Sequence, residues 1–336
     1  MSRNSIMNLT ATIMLSLSFW VGAGSGTEST LASDECLIIQ DRQGFSAVNE
    51  CVYTLTARVR LLAIWISRAG VGEGRITWSE GNDGTQELAL LIGSDPERAP
   101  MKVNRWGYIK ESVSGSQSEL IGVMTEAEEQ SMQQARTNVS TSNGKYSFKA
   151  ICSRTLDGTA NSSVSYMNLD EDFTYRDVST LLQRIPKDGA RVRRLSLPEG
   201  AEPGFLFAVR SLVNESVCAY HNAYTLGETQ HAVRRYVFSG TIYELKRKSS
   251  RIVKEIAIKN QTYRQLIESE FETRNLSTGH KSKFKITYGI RDAMAGIPVR
   301  ITYRPRWWFE AEMLLDSESA AAKAVMGEAP WRTGTN

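Results

Sequence analysis

The sequence predicts a mainly β (α+β) chain: a strongly curved antiparallel sheet or open β-barrel, closed at one end by a few short helices. Three observations predict it. Alternating apolar and polar residues recur along the chain, with the period of a half-buried strand. Successive stretches are joined by short turns, which implies antiparallel pairing. Helical patterns are few and scattered and never alternate regularly with strands, which argues against a doubly wound parallel sheet. No internal repeat is visible.

The chain opens with Arg3, an apolar run from Ile13 to Val21, and the small residues Gly22 to Gly26. Charge, apolar run and small residues in that order predict a signal peptide and leader over 1–33, cut near Ala23 or after Ser33. The run is shorter than the roughly 18 residues that span a bilayer. Export makes the cysteines candidates for disulfides. Of the possible pairings of Cys36, Cys51, Cys152 and Cys218, the favoured ones are Cys36–Cys51, around the Gly44 turn, and Cys152–Cys218.

From 45 to 80 the pattern predicts a pair of long strands. Cys51, Tyr53, Leu55, Ala57, Val59 and Leu61 alternate with Thr54, Thr56, Arg58 and Arg60. Gly70-Val-Gly-Glu-Gly74 lacks the G-x-G-x-x-G spacing of a phosphate loop. Its three glycines predict a bend or a close backbone approach instead. A strand is expected at Glu87–Ile92, followed by the turn-rich loop 93–100 and then the segment Val103–Ile109. A helix from Thr125, where Thr125 and Glu128 form a capping box, ends before the polar run 138–144. That run divides an N-terminal subdomain, 34–140, from a C-terminal one, 145–316.

Strands at Tyr146–Arg154 and Ser162–Asn168 are joined by an Asp157-Gly158 turn. A helix over Tyr175–Arg184 is capped by Thr174 and stopped by Pro186. A second starts at Pro203 and buries Phe205, Val209 and Leu212. His221 falls in an expected strand. Strands then follow at Val233–Leu245, at Ile252–Phe271 (long enough for two), at Phe284–Ile290 and at Val299–Tyr303. The last strand sets Trp307, Phe309, Ala311, Met313 and Leu315 against Arg306, Trp308, Glu310 and Glu312. Residues 317–336 read as a loose tail.

Few segments suggest chemistry. His221, His231 and His280 have no metal-ligand spacing, and the cysteines lack close C-x-x-C pairs. The acidic cluster Asn168–Asp172 lacks the EF-hand glycine and reads as a cap for the following helix. No G-x-S-x-G pentapeptide is present. No cofactor or metal is therefore expected. The net charge of +3 over 336 residues gives no basic footprint for nucleic acid.

Three segments remain. Arg98, Asn104 and Arg105 would converge on an anionic or polar ligand, or Trp106 and Tyr108 in the same 94–108 loop would meet a protein partner; the plain alternative is a turn with a surface Asp95–Arg98 pair. Trp308, beside Arg306 and Glu310, would stack on a ring or lie covered by an arginine stem. The basic run Lys246–Arg251, read as a hairpin tip, is a candidate for contact with an anionic membrane surface.

The reading this supports is an exported protein, periplasmic or secreted, that binds an apolar or lipid-like ligand in a β-sheet cavity without catalysis. The alternatives are the interaction module on the 94–108 loop and a hydrolase pairing Glu310 or Glu312 with Arg306.

Overall fold

The computed structural model describes residues 49–61, 64–99, 104–125, 145–170, 172–185, 191–223, 232–306 and 309–316. Eight strands come first: β1 (Asn49–Leu61), β2 (Ile64–Glu80), β3 (Gln86–Ser94), β4 (Trp106–Ser114), β5 (Gln117–Thr125), β6 (Lys145–Leu156), β7 (Thr159–Asp170) and β8 (Arg191–Ser196). Six follow: β9 (Val233–Phe238), β10 (Thr241–Ile258), β11 (Gln261–Asn275), β12 (Lys281–Gly289), β13 (Pro298–Arg306) and β14 (Phe309–Leu315). They form one antiparallel sheet in the order β8-β7-β6-β5-β4-β3-β2-β1-β14-β13-β12-β11-β10-β9. Two meanders thus run outward from the central β1–β14 pair, and the sheet stays open between its edges β8 and β9. The expected mainly β, curved and open fold is observed.

Two helices pack on it. The first, α1 (Val178–Leu181), is flanked by 3-10 turns at Tyr175–Asp177 and Leu182–Arg184, and Thr174 caps the stretch in a capping box with Asp177. The second, α2 (Phe205–Ala223), is longer than the short closing helix expected. It links the two halves of the curve. Its Ala208, Leu212, Val213 and Val217 share one buried cluster with Ile109, Leu120 and Ile151 from one half and Tyr236, Leu245, Phe271 and Tyr288 from the other. Aromatic rings fill the same space: Phe205 lies 5.7 Å from Tyr236 and 5.8 Å from Phe284, and Phe284 stacks at 5.2 Å on Phe271.

The two helices lie on opposite faces. Successive strand residues point to opposite sides. Ile151 joins the α2 cluster, whereas its neighbour Ala150 joins Trp106, Phe148, Val178 and Leu181 in the α1 cluster. This geometry corrects the disulfide expectation. Cys152 follows Ile151 on β6 and so faces away from α2, which carries Cys218. Cys51 and Cys152 are buried thiols, so neither favoured pairing forms. Burial pushes the Cys51 thiol up to about 11, against a smaller opposing effect of its hydrogen bond with Tyr53. Cys36 lies outside the described residues.

Other expectations need correction too. β4, β5 and β8 were not anticipated. β5 and β6 pair from Gln117↔Leu156 to Thr125↔Phe148, so the sheet is continuous across the supposed subdomain boundary. The helix expected after Thr125 and the run 138–144 lie outside the described residues, as do 1–48 and 317–336. His221 stands in the last turn of α2, not in a strand, with Nε2 2.9 Å from the Ile290 carbonyl. The glycines of β2 do serve a close approach: a Cβ on Gly72 would lie 2.0 Å from the Gly93 carbonyl oxygen.

Lys246–Arg251 is not a hairpin tip but the middle of β10, where a register shift falls between Arg247 and Ser249. Arg247 is buried and donates to the Leu212 carbonyl, Ser216 and Glu215 on α2. Arg251 pairs with Glu268 at 2.7 Å. Arg247 and Arg251 are thus engaged within the fold.

Candidate functional site

The 94–108 segment is held in place by its own residues. The Ser94 amide donates to the Arg105 carbonyl at 2.8 Å, and the Arg105 amide donates to Ser94 Oγ at 2.7 Å. Asn104 Nδ2 donates to the Phe173 carbonyl at 2.7 Å. Arg98, largely exposed, sits 3.6 Å from Asp95, and buried Asp95 is gripped at 2.8 Å by Arg176. Tyr108 packs against the α1 cluster. Trp106, expected at an interface, is completely buried and stacks on Phe148 at 4.6 Å. It cannot be presented to a partner from the folded state. The crowding of polar and aromatic residues here reflects the docking of α1 against β3 and β4.

The carboxylates of β14 are also committed. Arg58 on β1 binds Glu310 at 3.2 Å and Glu312 at 2.8 Å. Arg300 on β13 reaches Glu268 at 2.7 Å and lies 3.9 Å from Glu312. Arg251 completes a cross-strand ladder on Glu268. Burial alone would raise the Glu268 carboxyl, but the hydrogen bond and charge of Arg251, with Arg300 and Lys285, hold it below the usual value. Glu310 and Glu312 therefore belong to an ion-pair ladder in which Arg58 binds both. Trp308 and the Arg306 side chain lie outside the described residues.

Just beyond that ladder two hairpins stand side by side. β1 pairs with β14 out to Val59↔Phe309. The β1–β2 ladder continues through Val59↔Ile66 to Leu61↔Ile64, and β13 closes on β14 at Arg306↔Phe309. Trp65 is 38% exposed and Ile66 53% exposed, and Ser67, Arg68 and Ala69 are exposed with them. Because consecutive strand residues face opposite sides, this arm of β2 is uncovered on both. The Arg304 guanidinium lies 5.1 Å from the centroid of the Trp65 ring, within cation–π range.

Turn chemistry separates this rim from the rest of the sheet. A tight two-residue hairpin favours Gly, Asn or Asp, because positive φ is required. Elsewhere the chain obeys. Gly115, Asp157-Gly158, Ser239-Gly240 and Lys259 supply positive φ in the β4–β5, β6–β7, β9–β10 and β10–β11 connections. The two rim connections read Leu62-Ala63 and Trp307-Trp308.

Charge is segregated in the same place. Between Val52 and Gly72 the chain carries Arg58, Arg60 and Arg68 and no acidic residue; between Pro298 and Phe309 it carries Arg300, Arg304 and Arg306 and again none. Arg68 makes no ion pair among the described residues. The run Leu61-Leu-Ala-Ile-Trp-Ile66, with no turn former where the strand pair reverses, was the available signal for this site.

No family model matches the chain, and no curated protein matches it. Among solved structures it is similar to a β-barrel-like protein of the domain of unknown function DUF1849 from Brucella abortus, at 10% identity and a TM-score of 0.40, covering 81% of this chain and 98% of that one. It is also similar to a protein described as a "putative lipoprotein" from Parabacteroides distasonis, at 8% identity and a TM-score of 0.25, covering 80% of this chain and 94% of that one.

Proposed function

We propose that this is an exported, non-catalytic binding protein whose working surface is the paired-hairpin rim, and that the rim takes an apolar, lipid-like partner. The observation that carries the reading is the exposure of Trp65 and Ile66, which lie together on the β1–β2 hairpin beside the β13–β14 hairpin. A large exposed apolar patch on a folded chain costs solubility and marks an interaction site. The inner side of the sheet, where a sheltered ligand was expected, is packed with α2 and aromatic rings. The apolar partner is accordingly assigned to the rim. Export is supported by the order of Arg3, the apolar run and the small residues that follow.

Titration with zwitterionic dodecylphosphocholine micelles, followed by calorimetry, tests this reading. Burying an isoleucine side chain is worth about 1.5–3 kcal/mol. Ile66→Glu should therefore weaken micelle binding by roughly ten- to a hundred-fold. Leu156→Glu, at a comparably exposed apolar position on β6, should leave it unchanged. Equal binding by wild type and Ile66→Glu, or no binding by wild type, would remove the proposal.

A further inference from the structure

We infer that the outer half of β10 is the interface with a second copy of this chain: two β10 edges pair antiparallel about a two-fold axis at Val253, joining the two sheets. The inference stands on a different part of the fold from the rim and does not depend on it.

The first observation is an uncovered edge. β9 pairs with β10 from Thr241↔Phe238 to Lys246↔Val233, and the Arg247 N–H donates to the Ala232 carbonyl at 3.0 Å. β11 accompanies β10 on its other side as far as Ile258↔Gln261. Among the described residues, no strand lies beside β10 from Ser249 onward on the β9 side. A register shift between Arg247 and Ser249 falls where that cover ends, and such a bulge bends a strand. Ser249, Arg251, Lys254, Glu255 and Ala257 are exposed, and Ile252 is 48% exposed. An uncovered edge rich in β-branched residues, with no proline or glycine from Lys246 to Ile258, is a template for another strand.

The order of its charges selects a second copy as the occupant. Two identical edges related by a two-fold axis perpendicular to the sheet run antiparallel, and the residue on the axis fixes their register. With Val253 on the axis, Arg251 of each copy lies opposite Glu255 of the other, Ile252 opposite Lys254, and Ser249 opposite Ala257. Centring on Lys254 or Glu255 sets like charges directly opposite, which is destabilising. Centring on Ile252 sets Arg251 against Val253 and leaves no opposite-charge pair. Charges on a free edge block pairing when they repel an approaching copy. Here their sequence along the strand matches its own reverse.

The new pairs extend contacts present within each copy. Arg251 lies 2.7 Å from Glu268, and Glu255 lies 3.4 Å from Arg264. Pairing the edges lines up Arg264, Glu255, the second copy's Arg251 and the second copy's Glu268 as alternating charges across both hairpins. The terminal strands of the sheet differ. β8 carries Arg191, Arg193 and Arg194 and no carboxylate, so it offers its own copy no opposite charge. β9 is bridged at Tyr236 by Glu202, whose N–H donates to the Arg235 carbonyl at 2.7 Å.

The test is sedimentation velocity of the full chain from about 1 to about 100 μM. Wild type should pass from monomer to dimer as concentration rises. Glu255→Arg turns both attractive pairs into repulsive ones and should weaken the dimer by about ten-fold or more. Arg194→Glu, on β8, should leave it unchanged. Val253→Cys sets two thiols opposite each other on the axis, so mild oxidation should link the copies. Lys254→Cys sets its thiols on a diagonal of about 7–8 Å and should link them poorly. Thermal melts confirm that each variant is folded. A chain that stays monomeric throughout, or a dimer untouched by Glu255→Arg, would overturn the interface. Cross-linking of Lys254→Cys in preference to Val253→Cys would overturn the pairing about Val253.

Discussion

Replacing Trp106 with alanine will lower the unfolding free energy by about 3–5 kcal/mol, the expected cost of deleting a fully buried tryptophan. The ring has no exposed surface. It stacks at 4.6 Å on Phe148 from β6 and lies tilted at 5.3 Å from Phe173, so it joins β4 to the outer-face core under α1. Its indole N–H finds no acceptor among the described residues, which separates two effects. Trp106→Phe removes the unsatisfied donor and leaves a smaller hole, and should cost less than half as much. Urea unfolding at constant slope measures both. The folded fraction of Trp106→Ala should bind micelles like wild type. A variant of unchanged stability that loses its partner would return the 94–108 loop to the functional role once expected of it.

Trp106 also shows which parts of the fold were legible in the sequence. In β1 and β12 one face is core and the other is not, so apolar and polar residues alternate visibly. Between β4 and β6 the sheet is covered by α2 on one side and α1 on the other. There Val123 and Met124 are both buried, as are Ile151, Cys152 and Ser153. Burial on both faces removes the period of two, and β5 went unseen. β8 failed for the opposite reason: its described residues are almost all exposed. In β10, Lys246–Arg251 resembled a solvated tip, because Glu215 and Glu268, which neutralise its arginines, come from distant segments.

The rim was half legible. Its composition is local: the run Leu61–Ile66 and the pair Trp307-Trp308 can be seen directly. Its assembly is not. The two hairpins become neighbours only because β1 pairs with β14, as Arg58 with Glu310 illustrates across 252 positions of chain. No local pattern reports a pairing of that separation. For the same reason Glu310 and Glu312 looked available for catalysis until Arg58 came to lie against them. Of Arg98, Asn104 and Arg105, read as converging on a ligand, Arg98 lies beside Asp95 and Asn104 donates to the Phe173 carbonyl, contacts that no local pattern reports.

Glu111 makes the second large prediction, and two opposing effects set its sign. It projects from β4 into the inner core, where its carboxylate accepts the backbone N–H groups of Leu206 at 3.0 Å and Phe207 at 3.1 Å at the start of α2. Gly204 leaves the room: a Cβ there would lie 2.3 Å from the Glu111 carboxyl carbon. The helix N-terminus and its donors favour the charged carboxylate. Burial disfavours it and is the larger effect, so the carboxyl is pushed up from 4.5 to about 7, with the charge of Glu202 adding to the rise. A folded-state value above the unfolded one means that the native protein holds the extra proton between about pH 4.5 and 7. The associated stability, on the order of 3 kcal/mol, is complete below that window and is lost as pH rises through about 7. Glu111→Gln keeps one acceptor for α2 and cannot titrate. It will be less stable than wild type in acid, and its deficit should shrink by that amount on going from pH 4.5 to above 7. Comparing the two proteins cancels the parallel contribution of Glu202, whose carboxyl burial also raises. A deficit that grows with pH would show that the helix N-terminus, and not burial, decides the charge of Glu111, and that α2 is held in the sheet by a carboxylate rather than by a neutral acid.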